Sequence, residues 1–193
     1  GSHKFLIEKG IIPTWHVEVD PRPHKVELLG QPHPDVTYLP ASACHPDYFN
    51  HLERHRVKVL LWHIFDATQD GIRLLPPGEW AITGGCDVGL RALTIAGFLG
   101  FRELHVFGLD GSAPSIDAER HAASHPNGKQ KYGLCAYEGK DYFTTPAMLE
   151  AARQTFHELD QMPAVKAIFY GEGLTQAMAK NYISKQKDSE KSM

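Results

Sequence analysis

The sequence predicts a three-layer α/β domain of the Rossmann-like type, with a mostly parallel sheet in the middle layer. Short runs rich in β-branched and aromatic residues alternate with amphipathic stretches, which is typical of a parallel α/β sheet. Turn-forming and polar residues follow the ends of several of these runs. The length agrees with this class, because 193 residues of which 42% are apolar can form one compact core.

Local patterns place the individual elements along the chain. Strands are predicted at 15–20, 36–40, 57–64, 79–83, 103–110 and 165–170, and helices at 2–9, 46–55, 87–99, 146–159 and 174–183. The helix at 87–99 has the strongest signal, because Asp87 is a good N-cap, apolar residues recur at spacings of three and four, and Gly100 follows its end. Its nearly continuous apolar character predicts a helix buried against the sheet.

The elements predict one domain over residues 1–183, followed by a disordered tail over 184–193 that is almost entirely polar. Residues 111–141 lose periodicity and carry several prolines and glycines, so we expect a long loop inserted in the domain. The chain opens on a helix, whereas nucleotide-binding sheets of this type open on a strand. Two explanations stay open: the first strand is missing from this sequence, or the fold begins with a helix.

Charge and composition exclude several classes of partner. Twenty Lys and Arg residues against 23 Asp and Glu give a net charge of -3, so there is no global attraction to nucleic acid or to anionic membranes. No apolar run approaches the roughly 20 residues that span a bilayer, and no signal sequence is recognisable. Three widely separated cysteines without a CxxC pair favour a reducing, cytoplasmic location.

The segment that joins the fourth predicted strand to its helix carries the strongest functional signal. It reads Thr83-Gly84-Gly85-Cys86-Asp87-Val88-Gly89. Adjacent glycines let the backbone approach a ligand closely, and the amides at a helix N-terminus attract anions, so this turn is a candidate site for the phosphates of a nucleotide. The alternative is a strand-to-helix turn in which the glycines serve packing and Asp87 only caps the helix.

Two aspartates end predicted strands and form a candidate metal site. Ligands of open parallel sheets bind beyond the carboxyl ends of the strands, so Asp20 and Asp110 would meet at one edge, with Ser112 nearby. Two carboxylates could hold Mg²⁺ together with the phosphates of a ligand, or one could bind a ribose hydroxyl. The alternative is that Asp-Pro and Asp-Gly are ordinary turn-forming pairs.

His121 is the candidate general acid or base, or a phosphate contact. It lies in the predicted loop over 111–141, which directly follows Asp110, and we expect a mobile loop to bring it over the strand ends. Histidine titrates near neutral pH, so it can supply either a proton or a charge. The alternatives are a solvated loop histidine and a homo-oligomer contact, which the aromatic residues of this loop could equally support.

A longer block of the sequence resembles a known family. The runs ITGGCDVGLRAL, from Ile82 to Leu93, and GFLGFRELHVFGLD, from Gly97 to Asp110, are similar to the central block of the 6-hydroxymethylpterin diphosphokinase MptE-like family. That family includes the flagellar motility-accessory glycosyltransferase-like proteins and more distantly resembles bacterial sialyltransferases. A second resemblance is the helix, GIIP turn, strand and aspartate over residues 5–21.

The resemblance implies a Rossmann-like domain that binds a nucleotide or nucleotide-sugar and transfers a group from it. It also implies an upstream strand with a glycine-rich loop, which this sequence lacks. Diphosphate transfer and glycosyl transfer both occur in the family, so we expect a nucleotide-dependent transferase of either type, with Mg²⁺ required for diphosphate transfer. The alternative function is a non-catalytic module that binds a nucleotide or a glycan at the same sheet edge.

Overall fold

The structure, a computed structural model, describes residues 2–65, 75–118 and 131–191, with side chains as far as residue 184. The helices and strands within these ranges are, in chain order, α1 (Ser2–Glu8), β1 (Trp15–Glu18), α2 (Lys25–Leu29), β2 (Thr37–Pro40), α3 (Pro46–Arg54), β3 (Lys58–Val59), β4 (His63–Ile64), β5 (Ala81–Ile82), α4 (Val88–Phe98), β6 (Glu103–Phe107), β7 (Gly133–Tyr137), β8 (Lys140–Thr144), α5 (Pro146–Asp160), β9 (Lys166–Tyr170) and α6 (Leu174–Lys191). The chain divides into two compact units, Gly1–Thr83 and Gly84–Met193, where the sequence predicts a single domain over 1–183.

Parallel strands organise the first unit. Strands β1 and β2 pair in parallel over four residues, and β2 pairs onward with β3. Strands β4 and β5 form a second parallel pair. The helices α2 and α3 lie in the connections between β1, β2 and β3, as parallel pairing requires. The side chains buried here come mainly from β2 and α3 and include Tyr38, Leu39, Tyr48, Leu52 and Trp62.

The second unit is built around the parallel pair β6–β9, which runs in register from Glu103 opposite Lys166 to Phe107 opposite Tyr170. Helix α4 packs on this pair, because Leu93 of the helix forms a buried cluster with Leu104 and Val106 of β6. The cap of α4 is the predicted one: Oδ1 of Asp87 accepts a hydrogen bond from the amide of Leu90 at 2.9 Å.

An antiparallel hairpin lies where the sequence predicts the end of a long loop. Strands β7 and β8 pair from Gly133 opposite Thr144 to Tyr137 opposite Lys140. Glu138 and Gly139 connect them, and both have positive φ, 50° and 73°, as a two-residue type I′ turn requires. The predicted loop over 111–141 therefore gives way to regular structure at β7.

The predicted fold class is confirmed as a mixed α/β structure. Within the described residues, every strand pairing except that of the β7–β8 hairpin is parallel. Three details differ from the prediction. The predicted strand over 57–64 is divided, because β3 pairs with β2 whereas β4 pairs with β5. Helix α2 was not predicted, and α6 continues to Lys191, through most of the predicted tail over 184–193. None of the described helices is long and apolar enough to cross a membrane.

Candidate functional site

Two clefts open where the neighbouring strands β6 and β9 end. The segment 108–112 follows β6 and the segment 171–173 follows β9, and the two meet because Phe107 and Tyr170 are paired at the ends of the parallel strands. One cleft has a volume of about 540 Å³ and the other about 280 Å³. Asp110 and Ser112, both predicted site residues, line both clefts.

Asp110 is fixed by contacts with the start of α6. Its Oδ1 accepts a hydrogen bond at 3.1 Å from Nε2 of Gln176, which also donates to the carbonyl oxygen of Tyr170 at 3.0 Å. The carbonyl oxygen of Asp110 accepts the amide of Thr175 at 3.0 Å. A Cβ at Gly173 would lie 2.4 Å from that carbonyl, so only glycine permits this close approach. The aspartate is thus held in one position by uncharged groups.

Ser112 fastens the same loop to the same helix. Its Oγ accepts a hydrogen bond from the amide of Leu174 at 3.1 Å. The first amides of α6 are therefore satisfied by the loop that follows β6, which is the usual need of a helix N-terminus. The contact makes Ser112 a structural residue of the site as well as a lining residue.

Buried polar atoms without a partner lie beside this loop. Oγ1 of Thr175 and Oε1 of Gln176 are buried and have no hydrogen-bond partner among the described residues. Thr175 is 0% exposed and lines the smaller cleft together with Asp87 and Asp110. Buried polar groups in proteins are almost always hydrogen-bonded, so this buried hydroxyl beside the cleft lacks a partner that an ordered water or a polar ligand atom would supply.

The β7–β8 hairpin forms the other wall of the larger cleft. Lys140, Asp141 and Tyr142 line it, and the ammonium of Lys140 lies 5.1 Å from the centre of the Tyr142 ring. Thr144 ties the hairpin to the loop by donating from Oγ1 to the carbonyl oxygen of Gly111 at 2.7 Å. Sequence reasoning missed these residues, because the runs over 133–137 and 140–144 do not alternate apolar and polar residues and only the Glu138-Gly139 turn between them is a local hairpin signal.

Packing accounts for the glycines of the predicted phosphate turn. Gly84 has φ of +107° and Gly85 of +56°, and a Cβ at either would lie 2.4 Å from a side-chain atom of α4. A Cβ at Gly89 would lie 2.8 Å from Leu109. The amide of Gly85 is also in use, because it donates to Oε1 of Glu158 at 3.2 Å. A carboxylate of α5 thus already binds one of the amides that the sequence assigns to a phosphate.

The remaining residues of this turn have ordinary environments. Thr83 is exposed and is the last residue of the first unit. Desolvation, followed by the charge of Asp87, raises the pKa of the Cys86 thiol above its usual value. A thiol must be deprotonated to act as a nucleophile, so this environment does not activate Cys86.

Asp20 lies in the first unit, inside a cluster of opposite charges. Its carboxylate accepts hydrogen bonds from Arg22, from Nε to Oδ1 at 2.8 Å, and Nζ of Lys25 lies 3.4 Å from Oδ2. Lys25 also contacts Glu18 at 3.4 Å. Although desolvation alone would raise the pKa of Asp20, the hydrogen bonds from Arg22 and the charge of Lys25 hold it well below its usual range. Both oxygens of this carboxylate are therefore already paired.

The structure does not support two of the sequence predictions, the position of His121 and a metal site. His121 lies outside the described residues. Among those that are described, no three His, Cys, Asp or Glu side chains group closely enough to hold a metal ion.

Comparison with known proteins bears on the fold. The structure of a MAf glycosyltransferase from Magnetospirillum magneticum AMB-1 is similar to this one, with a TM-score of 0.57 and 19% sequence identity. The match covers 89% of this chain and 26% of that chain, so this chain spans about a quarter of the length of that protein. No protein-family profile and no curated protein matches the sequence. The shared architecture confirms the predicted Rossmann-like class.

Proposed function

We propose that this chain is a nucleotide-dependent transferase of the glycosyltransferase type, which takes a nucleotide-activated sugar at the carboxyl ends of β6 and β9. The observation that carries the proposal is the pair of clefts that share Asp110 and Ser112, with the unpaired buried hydroxyl of Thr175 beside the smaller one. Ligands of open parallel sheets bind at this edge. The likeness in fold to a MAf glycosyltransferase supports transfer of a sugar over transfer of a diphosphate.

The size and lining of the larger cleft suit such a donor. Its volume of about 540 Å³ is within the roughly 300–1,000 Å³ of small-molecule sites. Asp110, Asp141 and Glu172 offer carboxylate oxygens to the hydroxyl groups of a sugar, and Lys140 is the cation that lines the same cleft. A phosphate group would therefore bind towards Lys140, whereas the sugar would bind towards the carboxylates.

In glycosyl transfer, an acceptor oxygen bonds to the anomeric carbon while the bond from that carbon to the donor phosphate breaks. The nucleotide leaves with the electron pair, and the acceptor loses a proton to a base. Asp110 is our candidate for that base, because it lines the cleft and Gln176 and the α6 backbone fix its position. A base held in place in this way transfers a proton without first having to be ordered.

Magnesium fits one of the two predicted ligands. Mg²⁺ is usually bound by one or two carboxylates together with substrate phosphates. Asp110 fits this role, since Oδ2 has no hydrogen-bond partner among the described residues. Asp20 does not fit, because Arg22 and Lys25 already pair with its oxygens. A magnesium ion at Asp110 would neutralise donor phosphates, and most of its ligands would come from the donor and from water. Because the ion would then take Oδ2, Asp110 is the candidate base only if transfer proceeds without metal.

Thermal denaturation with a ligand panel tests the proposal. The panel is ATP, CMP, CMP-sialic acid, UDP-N-acetylglucosamine and GDP-mannose, each with Mg²⁺ and with EDTA. A ligand at 100 times its dissociation constant stabilises by about 2.7 kcal/mol, which raises Tm by about 5–10 °C for a chain of this size. We expect at least one nucleotide-sugar to give such a shift, and EDTA to reduce it if magnesium takes part.

Two variants connect the shift to the site. Asp110→Asn keeps an oxygen for the Gln176 hydrogen bond and removes the charge, so it should fold normally and lose the shift. Asp117→Asn is the matched control, because Asp117 is exposed and lines neither cleft. The absence of any shift, or an equal shift in both variants, would overturn the proposal. A shift without transfer to any acceptor would favour the binding module.

A further inference from the structure

We propose that the open edge of β9 receives an extended peptide strand with acidic residues, which pairs with the backbone of β9 beneath helices α5 and α6. The first observation is an apolar cavity of about 420 Å³ beside this strand. It adjoins the larger cleft, since Gly171 lines both, but its lining includes neither Asp110 nor Ser112 and the inference does not depend on the transferase activity. Its lining includes five consecutive residues, 165–169.

A cavity that touches consecutive residues of a strand lies along the strand's edge. Successive side chains of a strand point to opposite faces of the sheet, so a cavity on one face contacts only every second residue. Here Lys166 and Ile168, on one face, and Ala167 and Phe169, on the other, all contribute to the lining. The cavity therefore includes the backbone edge of β9.

The backbone groups on that edge are available for pairing. The amide of Lys166 donates to the carbonyl oxygen of Arg102 at 2.8 Å, so Lys166 and every second residue after it bond to β6. Ala167 and Phe169 consequently direct their N–H and C=O groups away from β6. Among the described residues no strand pairs with them, and an edge of this kind is a template for another strand.

Two helices extend over the edge and provide an apolar cover. Phe156 of α5 packs on Phe169 with ring centres 5.9 Å apart, and on Tyr182 of α6 at 5.1 Å. Side chains from both helices line the cavity, among them Leu159 and Ile183. An added strand would thus bury one row of side chains beneath α5 and α6 while its backbone bonds to β9.

Charge and shape select the occupant. The charged residues that line the cavity are Lys166 and Lys180. Lys166 has Glu103 at 3.6 Å, whereas Lys180 has no ion pair within the described part of the chain, so an acidic strand is favoured. A second copy could pair its own β9 with this edge in antiparallel fashion about a two-fold axis. Its helices α5 and α6 would then lie on the same face of the sheet as α5 and α6 of the first copy, which already cover that edge. The fitting occupant is a single strand without such helices.

Selection from a phage-displayed library of random twelve-residue peptides, on the immobilised full chain, tests this inference. We expect the enriched peptides to alternate apolar and polar residues and to carry Asp or Glu. Ala167→Pro removes an N–H that points away from β6, so it keeps the β6–β9 ladder while blocking strand addition. Synthetic copies of the peptides should bind this variant at least tenfold more weakly than the wild type.

A charge reversal and hydrogen exchange complete the test. Lys180→Glu should weaken binding of the acidic peptides about tenfold. Lys131→Glu, which changes another exposed lysine of the same unit, should leave their binding unchanged. In the wild type, a bound peptide should slow amide exchange at Ala167 and Phe169, a result that stands even if Ala167→Pro fails to fold. Equal binding to wild type and Ala167→Pro, or unchanged exchange at those amides, would overturn the inference. So would a wild-type dimer that Ala167→Pro converts to a monomer, since a second copy would then cover the edge.

Discussion

Replacing Gly84 by alanine tests whether the glycine turn before α4 is required by packing. Two costs are expected from the structure. An alanine at φ of +107° is strained by about 1–3 kcal/mol. Its Cβ would also lie 2.4 Å from Oγ1 of Thr94 and 3.0 Å from Cβ of the same residue. Thr94 is held by a hydrogen bond to the carbonyl oxygen of Leu90 at 3.2 Å, so relieving the clash should cost a further 1–3 kcal/mol or so.

Gly100 provides a matched control for this substitution. Its φ is +101°, close to that of Gly84, but nothing lies within 4 Å of the position of its Cβ. Gly100→Ala therefore carries the backbone strain without the clash. We expect Gly84→Ala to be less stable than Gly100→Ala by about 2 kcal/mol in urea denaturation, which corresponds to a Tm lower by about 4–8 °C. If the two variants lost equal stability, the close packing of the turn would not explain its glycines.

Three further predictions concern single side chains. Burial, followed by the charge of His3, lowers the pKa of His16 to about 3. The folded chain keeps His16 neutral, whereas the unfolded chain takes up a proton at this residue below about pH 6.5, so the free energy of unfolding decreases as the pH is lowered. Between pH 7 and pH 5, the free energy of unfolding of His16→Phe in urea denaturation should therefore decrease by about 2 kcal/mol less than that of the wild type. Asp20→Asn should cost about 2 kcal/mol at pH 7, because it removes the charged partner of Arg22 and Lys25. Since the pKa of Asp20 is lowered on folding, the difference in stability between Asp20→Asn and the wild type should shrink as the pH falls through the acidic range. The increases in Tm that nucleotide-sugars produce should persist in this variant. Asp87→Ala should cost about 1 kcal/mol through loss of the α4 cap, whereas Asp87→Asn should cost little; equal losses in thermal denaturation would contradict the capping role.

Helix α4 shows which features a sequence can predict. Its predicted range, 87–99, contains the observed Val88–Phe98 together with the cap residue Asp87 and the C-cap Leu99. The signals for this helix are local: a capping side chain, apolar periodicity and a following glycine. The β7–β8 hairpin escaped prediction because its first strand reads GLCAY over 133–137, where the alternation of apolar and polar residues that marks a half-buried strand is weak.

The contacts that determine the site are not local, which is why pattern reasoning could not supply them. Gln176 binds Asp110 from 66 positions away, and Glu158 binds the amide of Gly85 from 73 positions away. Only tertiary packing brings such pairs together. The glycine pair in the turn predicts a tight backbone but gives no sign of whether a phosphate or a carboxylate of α5 meets its amides.

The two strand-ending aspartates show how much depends on those distant partners. In sequence they look equivalent, since each follows an apolar run and precedes a turn-forming residue. In the structure Asp20 is paired with two cations, so its charge stabilises the first unit and its oxygens are occupied. Asp110 is held by an amide and by backbone groups, so it keeps its negative charge unpaired within the described residues and one oxygen without a partner. A carboxylate of the second kind can interact with a ligand without first breaking an ion pair, which is why the proposed chemistry belongs to Asp110.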